Sequence, residues 1–209
     1  TGALTSELVG RLGADAVSAV DPSDAFVAAT RARFPGVDVR HAPAERLPFA
    51  DGIFDFTLAQ LVVHFMTDAV AGLRDMARVT RSGGVVAACV WDHVGGRSPL
   101  TVFWRAVLDL DPQAQDESHM AGVREGHLAE LFAAAGLHDI ESTALTVQTR
   151  FGDFEEWWEP YTLGVGPAGD YIQGLDARRR AELRDRCASL LPPRWPVDVT
   201  ASAWAAIGR

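Results

Sequence analysis

Ile53-Phe54-Asp55-Phe56-Thr57-Leu58-Ala59 and Val85-Val86-Ala87-Ala88-Cys89-Val90-Trp91 are two apolar runs, and the segment between them carries the marks of a single helix. Runs without strict polar alternation suit strands covered on both faces of a parallel sheet. Thr67 or Asp68 supplies an N-cap, Val70, Leu73, Met76 and Ala77 fall on one helical face, and Gly83 stands where a left-handed C-terminal residue is wanted. Strand, helix and strand in this order make a βαβ unit.

The same stretch carries a family resemblance. Glu45-Arg46-Leu47-Pro48-Phe49, then Phe54-Asp55, then Leu73-Arg74-Asp75-Met76-Ala77-Arg78-Val79 running into Ser82-Gly83-Gly84, resembles the class I S-adenosylmethionine-dependent methyltransferases, in their small-molecule branch. The resemblance covers residues 1–92 and, more loosely, 126–150. Two positions depart from the family pattern. Pro43 replaces an Asp that contacts the adenine amino group, and Ser82 replaces a Pro.

The resemblance implies an α/β fold: a Rossmann-like, mostly parallel seven-stranded sheet with helices on both faces, an antiparallel last strand and a small helical cap. In that family the first strand and a glycine-rich turn come before the position of Thr1, so this strand is expected to precede the sequence given. Residues 1–152 are expected to form the cofactor-binding core, 153–196 a helical cap insertion, and 197–209 the final strand of the core. S-adenosyl-L-methionine is the implied cofactor and a small-molecule methyl acceptor the implied partner.

At 209 residues, with 48% apolar and 22% charged residues, the chain can build one sizeable core, or one domain with a lid. No run approaches the roughly twenty apolar residues of a membrane span, so no membrane partner is expected. Cys89 and Cys187 read as buried thiols rather than a disulfide, which fits a cytoplasmic location. All 19 basic residues are Arg. Without Lys there is neither a Gly-Lys-Ser/Thr phosphate loop nor a pyridoxal Schiff base. The net charge of −9 argues against a nucleic-acid partner. No metal site is expected.

Candidate cofactor-binding residues follow from strand ends, where ligands gather in open α/β sheets. Thr1 and Gly2 resemble the tail of the glycine-rich turn, whose backbone approaches the ligand at a helix N-terminus. Asp21 ends the second strand of the expected fold, where a carboxylate accepts two ribose hydroxyls; the alternative is a turn or cap residue before Pro22. Pro22 would then pack by the adenine. With Pro43 lacking a side-chain donor, the Ala44 N–H becomes the adenine contact, while Glu45 is either a ligand group or a solvated loop residue. Ala59 and Gln60 should lie by the methionine portion of the cofactor.

His64 and His93 are the candidate general bases. Their alternatives are a packed histidine among Val62, Val63, Phe65 and Met66, and a strand-end turn formed with Asp92. Residues 111–125 resemble a mobile connection bordering the pocket, and Trp157 and Trp158 either seat a flat molecule or pack the cap. Two other functions remain at this point: a non-catalytic S-adenosylmethionine-binding domain, and a nicotinamide-dependent oxidoreductase. Against the second stands the missing Lys of the Tyr-x-x-x-Lys reductases.

Overall fold

A computed structural model describes residues 2–209. The βαβ unit forms where the two apolar runs require it. β3 (Phe54–Gln60) and β4 (Thr80–Trp91) run parallel, with Ala59 beside Ala88 and Gln60 beside Cys89, and α3 (Ala69–Val79) connects them. Asp68 caps α3 by accepting the Ala71 N–H at 2.9 Å, and Leu73, Met76 and Val79 are buried along it. Gly83, expected to end this helix, does something else. The chain is already extended at Thr80, and Gly83, at φ 74°, shapes a bulge inside β4. Phe54 pairs with Thr80 and Phe56 with Val85, so Arg81 to Gly84 is extra length on one strand. At Gly84 a Cβ would sit 2.7 Å from the Asp55 carbonyl oxygen, so the bulge closes only over glycine.

Ahead of this unit, β1 (Ser18–Asp21) and β2 (Asp38–His41) pair in parallel, flanked by α1 (Ala3–Leu12) and α2 (Asp24–Arg33). Their small core is Val17, Val27, Val37 and Val39, with Leu8, Val9 and Phe34 against it. Four valines, Val27 on α2 and the others in or beside the two short strands, make too small a core to bury a full helical stripe of α1, and Leu12 stays 59% exposed.

The chain divides into two compact units, the first holding the sequence up to Val90 with Gly126–Thr143 and Ala205–Arg209, the second Trp91–Glu125 and Ala144–Trp204. β5 (Glu141–Phe151) and β6 (Val197–Gly208) each run through both. With the first of the expected seven strands placed ahead of the sequence given, six are expected here, and the described residues hold six; they form two sheets, however, not one mostly parallel sheet: the pair β1-β2, and a mixed sheet in the order β3-β4-β6-β5. No ladder joins β1 to β3, so each ends its sheet.

The second unit is built around aromatic rings. α4 (Thr101–Leu110) packs on α8 (Ala177–Leu190), and Phe103, Trp104, Trp157, Trp158, Tyr161 and Ile172 share one buried cluster. Phe103 stacks on Tyr161 with centroids 4.8 Å apart. Trp157 and Trp158, in α6 (Phe154–Trp158), are core residues here; burial this complete leaves no ring face to seat a ligand. Among the described residues, no helix is long and apolar enough to cross a membrane.

Candidate active site

In the first unit, the sequence-expected residues collect at strand ends. Asp21 closes β1 beside His41 of β2, and the chain leaving β2 returns there, with the Ala42 N–H donating to the Asp21 carbonyl at 3.2 Å. The Asp21 carboxylate is half-buried. Its Oδ1 accepts the Ser23 N–H at 2.8 Å, and its Oδ2 holds no bond among the described residues. Pro22 offers its carbonyl to His41 Nε2 at 2.8 Å. Ala44 opens a short turn, Ala44–Arg46, that packs against α3. Glu45 serves that turn: its Oε1 accepts the Asp68 N–H at 3.1 Å, which ties the turn to the start of α3.

The turn is clamped from the other side by residues of the resemblance pattern. Arg78 donates to the Leu47 and Phe49 carbonyls at 3.0 and 2.8 Å and to Asp51 and Asp75 at 2.7 Å. Asp75 in turn accepts the Leu47 N–H at 2.5 Å. The guanidinium beside Asp75 holds its carboxyl below the usual range, against the opposing effect of burial. Leu-Pro-Phe and the Asp-x-x-Arg of α3 are thus two halves of one latch.

β3 ends with Ala59 buried and Gln60 exposed. Leu61 follows at φ 58°, its N–H donating to the Cys89 carbonyl at 2.9 Å. A leucine in the left-handed region stores strain, and such strain gathers at functional sites. Nothing in the sequence marks it. His64, in the turn Val63–Phe65, is 7% exposed with its ring 3.9 Å from that of Phe65.

The sequence-expected cofactor residues can be compared with what S-adenosylmethionine asks of a site. A half-buried carboxylate with one oxygen uncommitted suits a ribose diol, and the Ala44 N–H lies at the same end of the β1-β2 pair. Gly2 adopts φ 74° at the N-terminus of α1, where a Cβ would meet the Phe34 ring at 2.7 Å, so the backbone there is bare by necessity. Thr1 lies outside the described residues.

The second unit holds His93 and a cavity of about 260 Å³. His93 lines it with Thr101, Trp104 and Leu108, while Arg105, Asp109 and Asp116 border it. Burial pushes the His93 imidazole down to about 4, with Asp116 and Asp92 only partly opposing, so the ring is neutral at physiological pH. Asp92 does not line the cavity. It is 1% exposed, accepting the Gly95 N–H at 2.8 Å and Arg97 Nε at 2.6 Å, and it builds the turn that carries His93.

Glu117 escaped the sequence reading, lying in a stretch expected to be a mobile connection. It is 2% exposed, and its carboxylate accepts Trp104 Nε1–H at 2.7 Å. Burial raises its affinity for a proton, while the indole donor opposes. Ligating atoms of Glu117 and His93 lie within 4.8 Å of each other.

The family described as a methyltransferase domain matches residues 1–88. A demethylmenaquinone methyltransferase from Mycolicibacterium vanbaalenii is 35% identical over 159 residues, covering 70% of this chain and 68% of that protein. A second, from Beutenbergia cavernae, is 44% identical over 72 residues, which span only 34% of this chain and 30% of that protein. A solved structure from Anabaena variabilis, a candidate methyltransferase of an antibiotic biosynthesis pathway, aligns with a TM-score of 0.61 at 15% identity. It covers 98% of this chain and 85% of that one, a likeness of fold.

Proposed function

The chain belongs to the class I S-adenosylmethionine-dependent methyltransferases, and from that premise we propose that it moves a methyl group in line onto a small, ring-bearing acceptor. S-adenosylmethionine supplies an activated sulfonium methyl carbon. The chain's own contribution is alignment, and positioning of this kind can lower a barrier by roughly 7–11 kcal/mol.

Asp21 carries the reading. Its placement at the end of β1, one oxygen held by Ser23 and the other uncommitted, supports its role as the ribose acceptor. Pro22 would flank the adenine, the Ala44 N–H would meet the ring edge, and the Gly2 backbone would approach the ligand. Backbone carbonyls of Ala59 and Gln60 would take the ammonium group, with the strained turn at Leu61 holding them in place. Glu45 acts indirectly, by fixing the turn that bears Ala44.

His93 serves better as a neutral hydrogen-bonding partner of the acceptor than as a base, since a group near 4 takes a proton weakly at pH 7. His64 remains a second candidate base, packed beside Phe65. The two relatives are named for demethylmenaquinone, a quinone-ring substrate, which favours a ring-bearing small molecule here.

The test is transfer of labelled methyl from S-adenosylmethionine to a panel of quinols, phenols, amines and carboxylic acids. Label in a quinol or phenol supports the reading. Label only in non-aromatic amines or acids, or in added protein or nucleic acid, would overturn the acceptor assignment.

A further inference from the structure

The cavity in the second unit has a chemical bias. At about 260 Å³ it lies below the usual range of ligand pockets, roughly 300–1,000 Å³, and suits one fused-ring system. Trp104 walls it, but the indole has one polar hydrogen and that is given to Glu117 at 2.7 Å, so only carbon surface is offered inward. Thr101 Oγ1 donates to the Ser98 carbonyl at 2.7 Å, and the Thr101 N–H goes to the same oxygen at 3.1 Å. Toward a ligand, that hydroxyl is left with lone pairs only.

Charge points the same way. Asp109 is neutralised by Arg186 at 2.5 Å. Asp116 accepts the Ser118 N–H and hydroxyl at 3.0 and 2.6 Å and brings a negative charge to the cavity, with the Glu117 carboxylate behind Trp104. Arg105, the one cation among the described residues that border the cavity, is exposed. An anion inside would face Asp116 and the Thr101 lone pairs, offset by the exposed Arg105 and the single N–H of the neutral His93 ring, whereas a hydroxyl would find an acceptor waiting.

We infer that this cavity is a ligand site that selects a flat, uncharged ring bearing a hydroxyl donor over an anion of the same shape. Taking that ligand as the methyl acceptor rests on the methyl-transfer reading; the selectivity stands on the cavity alone.

Two probes of matched shape, 2-naphthol and 2-naphthoate, decide it by calorimetry on the full chain, with S-adenosylhomocysteine titrated separately. Naphthol should bind about tenfold or more tighter than naphthoate, the equivalent of one hydrogen bond to a well-placed acceptor. Leu108→Trp, which fills the cavity, should abolish naphthol binding. Thr101→Val should weaken naphthol and leave naphthoate unchanged, and it answers the question if the first variant does not fold. Equal affinity for the two probes, or naphthol binding untouched in the variants, overturns the inference. S-adenosylhomocysteine binding with no naphthol selectivity sinks this inference alone; naphthol selectivity with no S-adenosylhomocysteine binding sinks the methyl-transfer reading alone.

Discussion

Asp21→Asn separates a ligand group from a turn residue. The carboxylate has two jobs in prospect: Oδ1 already accepts the Ser23 N–H at 2.8 Å, and Oδ2, unbonded among the described residues, would meet a ribose hydroxyl. Asparagine keeps an oxygen for Ser23, so the turn and the start of α2 survive and the melting temperature should hold. It removes the charge and replaces the second acceptor by an NH2. A hydrogen bond to a charged group is worth about 1.5–3 kcal/mol, so the S-adenosylhomocysteine Kd should rise roughly 10- to 150-fold. Calorimetry of the two proteins at equal salt reads this directly. Asp21→Ala, in contrast, should lose affinity and stability together, because the Ser23 N–H then loses its partner. If Asp21→Asn binds within about twofold of the parent while Asp21→Ala is merely less stable, Asp21 is a turn residue and the ribose assignment fails.

Arg78→Gln should destabilise by about 1.5–3 kcal/mol at pH 7 through loss of charged hydrogen bonds. Because Asp75 is held below its ordinary value, its contribution is present above that value and lost as pH falls through the lowered one. The variant's deficit in chemical denaturation should therefore shrink in strong acid, and a deficit independent of pH would refute the coupling. His93 sits near 4, below its ordinary 6.5, so the unfolded chain binds more protons between these values and stability should decline as pH drops from 6.5 to 4. An NMR titration midpoint for His93 near 6.5 would contradict this. Gly95→Ala would bring a Cβ to 2.2 Å from Asp92 Oδ2 and disrupt its contact with Arg97. Asp92 is buried while Arg97 is half exposed, and losing a charged hydrogen bond to such a carboxylate costs about 1.5–3 kcal/mol, so the melting temperature should drop by several degrees; an unchanged melt would show that the turn relaxes freely.

Much of this protein is local, and what is local is legible in the chain. Ser23, Asp68, Asp153 and Asp176 all cap helices through hydrogen bonds that span three residues. The βαβ unit follows from run length and helical period.

Other features depend on what lies next to a residue in space. A serine-glycine-glycine run spells a helix end, yet Gly83 became a bulge because β4 begins directly at Thr80 and must stay in register with β3. Glu117 lies in a stretch read only as a mobile connection, and nothing local marks it; burial against Trp104 removed its water. Burial pushes the His93 imidazole down to about 4, which its place after a strand end does not announce. Hydrogen bonds across a few residues and a repeating apolar face are encoded one neighbour at a time. Desolvation and backbone strain arise from groups brought together across long stretches of chain, and they belong to the folded molecule.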